Sequence, residues 1–134
     1  MKLDKPGLER LKAYWLSEAI DALTVANHLV EKKDYSYALF FGHLAVEKIL
    51  KALYVLQKGD HAPLIHNLVR LALDLELDLD ETKKEALITI TGFNIEARYP
   101  DIKRSFRDKC TIEYTTKQMK IIKEIFEWLQ SCLT

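Results

Sequence analysis

Hydrophobic positions recur at spacings of three and four over most of the chain, which is the pattern of amphipathic helices. The stripe that predicts the first helix, over residues 8–32, consists of Leu8, Leu11, Trp15, Ala19, Ala22, Ala26 and Leu29. Four further helices are predicted over residues 35–58, 63–75, 81–97 and 115–132, whereas residues 98–114 are expected to be irregular. The pattern therefore predicts an all-α fold, an up-and-down bundle of four to five helices.

Capping and helix-breaking residues mark the ends of these helices. The predicted caps are Asp34, Asp80 and Thr115 or Thr116 at N-termini and Gly59 at a C-terminus. Pro63 is expected in the first turn of the third helix, and Tyr99 before Pro100 is expected to end the fourth. In residues 71–81 the leucines alternate strictly, as in a strand. Leu, Glu and Asp are poor strand formers and no partner strand is predicted, so this stretch is assigned to a helix end and an acidic connection.

The second predicted helix has two apolar stripes. The first stripe consists of Tyr35, Ala38, Gly42, Ala45, Ile49, Ala52 and Leu56, and the second of Leu39, Val46 and Leu53 with Phe40 and Leu50 beside them. A helix that is apolar on two faces packs against more than one neighbour. A second copy of the chain is a candidate for one of those neighbours, which predicts a homodimer through this helix.

Charge and composition narrow the class of protein. Twenty Lys and Arg residues balance twenty Asp and Glu, so net charge gives no reason to expect a nucleic acid or an anionic membrane as partner. With 49% hydrophobic residues, positions 1–134 are expected to form one globular domain. No apolar run reaches the roughly 18 residues that span a bilayer, and the charged first residues are unlike a secretory signal. The two cysteines form no CxxC pair. A cytoplasmic protein without a membrane partner is expected.

A line of polar residues interrupts the apolar second helix. His43, Glu47 and Lys51 lie at i, i+4 and i+8 and therefore on one face. A solvated stripe with an ion pair between Glu47 and Lys51, worth only about 0.3–0.5 kcal/mol, is one interpretation. The crowded apolar neighbours favour the other, a partly buried polar line with perturbed pKa values.

Two further segments carry candidate chemistry. His66 follows Pro63 early in the predicted third helix, and pairing it with His61 suggests only a weak metal site, so no metal is expected. From Arg98 to Lys109, five basic residues stand against two acidic ones, with Tyr99 and Phe106 among them. Such a segment can hold phosphate and stack on bases, or it can be a solvated loop whose aromatic rings pack on the bundle. No Walker loop, GxGxxG, nucleophile elbow or HExxH motif is present.

Taken in order, AVEKILKAL, His66-Asn67-Leu68 and the segment ARYPD at residues 97–101 resemble the HEPN domain family of prokaryotes. The resemblance implies a helical bundle that pairs as a homodimer and has a polar cleft near the pairing surface. It also implies a nucleotide-binding role and a small nucleotidyltransferase as partner in a toxin–antitoxin pair. Catalytically active members are metal-independent ribonucleases with an arginine followed four to six residues later by a histidine.

That ribonuclease motif is absent, because none of the five arginines has a histidine at this spacing. The leading hypothesis is therefore a non-catalytic module that binds a nucleotide, RNA or another phosphate-bearing ligand without a cofactor. The candidate ligand-binding residues are His43, Glu47, Lys51, His66, Arg98, Tyr99 and Asp101. Arg98 is expected to hold phosphate and Tyr99 to stack. A ribonuclease with a displaced histidine, His43 or His66, is the alternative, and a purely structural bundle is the third possibility.

Overall fold

A computed structural model describes residues 2–133 of the chain, and these form six helices and no strand. The helices are α1 (Lys5–Glu31), α2 (Tyr35–Lys58), α3 (Leu68–Asp74), α4 (Glu81–Glu96), α5 (Pro100–Lys109) and α6 (Ile112–Ser131). The all-α prediction is confirmed, with six helices in this part of the chain instead of four to five. No helix among the described residues is both long and apolar enough to cross a membrane.

The first two helices form an antiparallel hairpin, because three residues join them and they pack along each other. Ala19, Ala22 and Ala26 line the buried side of α1, and their small side chains let the two backbones approach closely. Gly59 ends α2 in the left-handed conformation, as predicted for its C-cap. Asp34 precedes α2, but its side chain makes no capping hydrogen bond.

The centre of the bundle is α2, which packs against all five of the other helices. Both of its apolar stripes are covered within one chain: Ala45 and Ile49 of the first are fully buried, as is Val46 of the second. A Cβ placed on Gly42 would lie 2.6 Å from Cδ1 of Ile122, so α2 and α6 meet at a point where only glycine fits. A second copy is therefore not needed to cover either stripe of α2, and the argument for a homodimer through this helix falls away.

The third helix begins later than predicted, at Leu68 instead of residue 63. The side chain of Asn67 accepts a hydrogen bond from the backbone N–H of Arg70, which makes Asn67 the N-cap. Pro63 therefore lies in a non-helical connection, residues 60–67. The alternating leucines after α3 form no strand, and Glu76 has a left-handed φ of 55° in the turn that ends the helix. Asp80 caps α4 by accepting from the backbone N–H of Lys83, as predicted.

Residues 98–114, expected to be irregular, contain α5. Pro100 ends the preceding helix as predicted, but it also occupies the first turn of α5, where a missing N–H costs nothing. Phe106 is 2% exposed and packs on Phe93 with ring centroids 5.7 Å apart, which fixes α5 against α4. The last helix starts at Ile112 because Thr111, not Thr115 or Thr116, accepts from the backbone N–H of Tyr114.

Candidate functional site

A buried carboxylate joins the polar residues of α2 to the connection before α3. Oε1 of Glu47 lies 3.0 Å from Nδ1 of His66 and 3.5 Å from Nε2 of His43, and Oε2 accepts a 3.1 Å hydrogen bond from Lys51. We call these four residues the Glu47 cluster. His43, Glu47 and Lys51 are each at most 5% exposed, so the interpretation of a solvated stripe is wrong.

His66 contacts Glu47 of α2, which lies 19 positions earlier in the chain. Two backbone contacts hold His66 in this place. The backbone N–H of Leu68, a fully buried residue, donates to the hydroxyl of Thr91, which ties the start of α3 to α4. The carbonyl of His66 lies 3.4 Å from Nε2 of His43. The connection is thus anchored at the carbonyl of His66 and at the N–H of Leu68, while the His66 side chain remains 61% exposed.

His43 is the most deeply placed member of the cluster. Burial lowers its pKa, the carboxylate of Glu47 opposes that shift, and the positive charge of Arg98 adds to it. The ring is therefore neutral at neutral pH, with the Nε2 proton directed to the carbonyl of His66. Its other nitrogen, Nδ1, has no hydrogen-bond partner among residues 2–133.

Lys51 is held from a second direction by an aromatic ring on α1. Its ammonium lies 5.4 Å from the ring centroid of Trp15, and that of Lys48 lies 6.0 Å from the same ring and 3.3 Å from Glu18. Cation–π contacts of this kind add to the ion pair with Glu47. The sequence stripe assigned Trp15 to the core, and nothing in its spacing indicates a contact with Lys51.

Arg98 lies beside the cluster, separated from it by one aromatic ring. Its guanidinium is 6.0 Å from the ring centroid of Phe40. The ring of Phe40 in turn stacks on the ring of His43, with the two centroids 6.5 Å apart. Arg98 is exposed, and its Nε donates to the carbonyl of Asn94 at 3.0 Å. The sequence prediction placed Phe40 in an apolar stripe and missed its role here. Its position three residues before His43 is the signal that could have found the contact, because helical spacing puts both on one face.

The last two predicted site residues do not join the cluster. Tyr99 is 53% exposed and Asp101 is also exposed, and neither makes a side-chain contact with the cluster among the described residues. Four of the seven predicted residues are thus in direct contact, and Arg98 is adjacent to them.

The basic segment after Arg98 is a helix that folds back on α2. Lys103 and Arg107 place their cationic groups 5.1 Å and 5.9 Å from the ring centroid of Tyr37. The hydrogen bond from Lys103, with the positive charge of Arg107, lowers the pKa of the Tyr37 hydroxyl. Positive charge therefore extends from Arg98 along one side of α5.

The groups that the site presents at the surface are nitrogen atoms of His66 and Arg98. Over the described part of the chain, no group of three or more His, Cys, Asp or Glu side chains is arranged to hold a metal ion. Nδ1 of His66 faces the carboxylate of Glu47, so its Nε2 is the ring atom available at the surface. A guanidinium binds phosphate oxygens, and an imidazole held this way does so when both of its nitrogens carry a proton.

Comparison with known families decides which family this bundle belongs to. The HEPN domain model matches residues 13–132, which is most of the chain. The chain belongs to the HEPN domain family. The resemblance found from the three sequence segments is therefore confirmed.

A solved structure shows a similar arrangement of helices. The crystal structure of TT1696 from Thermus thermophilus superimposes on this HEPN domain with a TM-score of 0.77 at 25% sequence identity. The similarity covers 90% of this chain and 96% of that one, so it extends over the whole domain. Among curated proteins no significant match is found.

Proposed function

We propose that this HEPN domain binds a nucleotide or another phosphate-bearing ligand on the surface between His66 and Arg98. The observation that carries the proposal is the 3.0 Å contact between the buried carboxylate of Glu47 and Nδ1 of the exposed His66. A buried carboxylate that orients an exposed imidazole fixes which nitrogen faces a ligand.

Arg98 supplies the second cationic group of the proposed site. Its Nε is engaged by the carbonyl of Asn94, which leaves the two terminal nitrogens of the guanidinium for a ligand. Two such donors match two phosphate oxygens. Tyr99, the next residue and 53% exposed, is available to stack on a base.

The buried members of the cluster take a supporting role in this proposal. His43, Glu47 and Lys51 are too deeply buried to touch a ligand on the surface, so they position His66 and Arg98 through Glu47 and Phe40. Asp101 is exposed in the first turn of α5, and we place it at the edge of the ligand surface.

Isothermal titration with AMP and ATP tests the ligand proposal. We expect saturable heat with the wild type, and at least a tenfold weaker affinity in His66→Ala and in Arg98→Ala. His61→Ala and Arg10→Ala are matched controls, because both residues are exposed and lie outside the cluster. Absence of heat for either nucleotide in the folded wild type would contradict the proposal.

A ribonuclease that uses His66 is the second candidate function, and the pairing of Glu47 with His66 is the observation that favours it. A carboxylate on one imidazole nitrogen and an accessible second nitrogen form an arrangement suited to general acid–base catalysis. His43 does not fit this role because it is fully buried. Cleavage of total RNA by the wild type, lost in both His66→Ala and Arg98→Ala, is the expected result. Equal background cleavage by all three proteins would end this candidate.

We also propose a nucleotidyltransferase as protein partner in a two-component, toxin–antitoxin-like system. Membership of the HEPN family supports this partnership, and the basic side of α5 gives a surface for an acidic or nucleotide-bearing partner. The test is coexpression with a nucleotidyltransferase encoded beside this gene, followed by light scattering of the purified mixture. A mass equal to that of the separate proteins would refute the partnership.

Self-association, which the family resemblance implies, is proposed to use exposed apolar side chains beside the site instead of α2. Leu64, two residues before His66, is 96% exposed. We expect light scattering to give a dimer mass for the wild type and a monomer mass for Leu64→Asp. Leu73→Asp, a change at an exposed leucine of α3, should keep the dimer. A monomeric wild type at all concentrations would exclude this arrangement.

A further inference from the structure

A cavity of about 280 Å³ lies where the turn between α1 and α2 meets the end of α5. Residues 33–37 form one wall, and Arg107 and Cys110 form the other. The cavity shares no lining residue with the Glu47 cluster or with Arg98. The proposed ligand surface therefore does not account for it.

The first turn of α2, in the wall of this cavity, has uncapped backbone N–H groups. The carbonyl of Asp34 accepts the first bond of the helix, from the N–H of Ala38, and the side chain of Asp34 caps none of the earlier groups. The N–H groups of Tyr35, Ser36 and Tyr37 therefore have no acceptor among residues 2–133. Free N–H groups and the helix dipole make such a terminus a place where anions bind. Because every helix begins with groups of this kind, a ligand site needs further evidence.

A buried hydroxyl at this terminus is the further evidence. Ser36 is 6% exposed, and its side chain makes no hydrogen bond with any residue of the described chain. The side-chain atoms that are both sealed from solvent and without a partner belong to Trp15, His43 and Thr115, so the Ser36 hydroxyl keeps an opening to solvent. Ser36 lines the cavity, which is where a ligand can reach this hydroxyl. A hydroxyl beside free N–H groups adds one more donor for an oxyanion.

The charges of the lining favour an anionic occupant. Lys33 and Arg107 are positive and only Asp34 is negative, so the lining has a net positive charge. Within the described part of the chain, neither Lys33 nor Arg107 forms an ion pair. The ammonium of Lys103 adds positive charge nearby, since it lies 5.1 Å from the ring centroid of Tyr37, another lining residue. Such a concave, positively charged surface attracts anions.

We propose that the N-terminus of α2 binds a phosphate group, either inorganic phosphate or the phosphate of a small phosphomonoester. The N–H groups of Ser36 and Tyr37 and the hydroxyl of Ser36 donate to its oxygens, and the side chains of Lys33 and Arg107 balance its charge. The cavity is just below the volume range of sites for drug-sized molecules, so only a short substituent fits beside the phosphate. This ligand is smaller than the nucleotide proposed for the other surface.

The experiment follows the backbone N–H signals of Ser36 and Tyr37 in a proton–nitrogen correlation spectrum of the full chain. The probes are inorganic phosphate and glycerol 3-phosphate at about pH 8, and sodium chloride at the same ionic strength is the control. We expect both phosphates to shift the two signals saturably and chloride to leave them in place. A saturable response to inorganic phosphate alone would identify the free ion as the ligand.

Paired variants, followed on the Tyr37 signal, test the donors and the charge. Ser36→Ala and Arg107→Gln should each weaken phosphate binding about tenfold, because each removes a hydrogen bond to a charged group. Ser17→Ala and Arg104→Gln, at exposed positions of α1 and α5 outside the cavity, should leave it unchanged. Asp34→Asn should strengthen binding about threefold, because it removes the carboxylate that lines the cavity.

Circular dichroism checks that each variant is folded. His66→Ala should bind phosphate at the N-terminus of α2 as the wild type does, which separates this result from that of the nucleotide titration. No saturable shift at tens of millimolar phosphate, or equal affinity of Ser36→Ala and wild type, overturns the proposal. A shift that chloride reproduces also overturns it, because the surface would then attract anions without selecting phosphate.

Discussion

Glu47 receives three polar groups at one buried point, so its removal leaves charge and hydrogen-bonding capacity without a partner. The ammonium of Lys51 is the most affected, since it is 4% exposed and pairs with Oε2 of Glu47. Breaking a buried ion pair by removing one partner is costly, whereas replacing both partners with apolar groups is often close to neutral. The stability that the cluster contributes therefore depends on a single carboxylate, that of Glu47.

Glu47→Gln is expected to reduce the free energy of unfolding by about 3–5 kcal/mol, because Lys51 is left as an uncompensated buried charge. Urea unfolding followed by circular dichroism measures this difference. Glu18→Gln removes the carboxylate of the partly exposed Lys48–Glu18 ion pair and should reduce the free energy of unfolding by less than about 1 kcal/mol. The double variant Glu47→Leu/Lys51→Met should recover a large part of the loss, and a double variant as unstable as Glu47→Gln would contradict the role of Lys51.

The buried ring of His43 makes the free energy of unfolding depend on pH. Because burial holds its pKa below the usual value in the folded state, the unfolded chain binds the proton more readily. The contribution of His43 is therefore fully present above the unfolded pKa of about 6.5 and is lost as pH falls toward the folded value. Glu47, His66 and Arg98 also face this ring. Urea unfolding between pH 5 and 7.5 should show a slope that His43→Gln reduces and His61→Gln does not.

At the scale of elements, the position of α2 is fixed by its close approach to α6 and by the small side chains of α1. Gly42 meets Ile122 of α6 where no side chain fits, and the alanines of α1 cover the opposite part of the helix. Contacts of this kind fix the distance between helices, and through it the place of the Glu47 cluster.

Gly42→Ala is expected to destabilise the fold by about 1–3 kcal/mol, because the new Cβ overlaps the Ile122 side chain. Gly92→Ala on α4 is the matched control. Its Cβ would lie 3.1 Å from Oε1 of Glu96, the movable end of a side chain, so helix propensity should make it neutral or stabilising by up to about 1 kcal/mol. Thermal unfolding compares the two, and equal effects would show that Gly42 does not mark a close approach.

The sequence pattern predicts helices well where apolar periodicity is long, as in α1, α2 and α6. It fails for α5, because Pro100 has two roles and only the helix-ending role was assigned to it. It also places the start of α3 too early, since Pro63 is a helix-start signal but the cap is Asn67. In the site, helical spacing aligns His43, Glu47 and Lys51. Their contacts with His66 and Trp15 depend on tertiary packing, which periodicity does not encode.

At the scale of the whole molecule, balanced charge has a consequence for behaviour in solution. Twenty basic and twenty acidic side chains give a net charge of zero at pH 7 with neutral histidines. A protein without net charge lacks the repulsion that keeps molecules apart. Local charge is nevertheless uneven, since basic residues cluster on α5, whereas residues 74–81 carry five acidic side chains and no basic one.

Solubility is expected to be lowest near pH 7 and to rise on either side, because net charge grows in both directions. Precipitation by polyethylene glycol at pH 5.5, 7 and 8.5 measures it. Added sodium chloride at pH 7 should increase solubility by screening attraction between the basic and acidic regions of neighbouring molecules. A minimum far from neutral pH would mean that other groups dominate association.

The connection of residues 60–67 carries the imidazole of the proposed ligand site and also an exposed apolar side chain. Leu64 has almost its entire side chain in solvent, two residues from the ring that Glu47 holds. Exposed connections between helices are the preferred sites of proteolytic cleavage. A cut beside Leu64 would separate α1 and α2 from His66 and the rest of the bundle. The lifetime of the intact chain under limited digestion therefore reports directly whether a ligand or a partner occupies that surface.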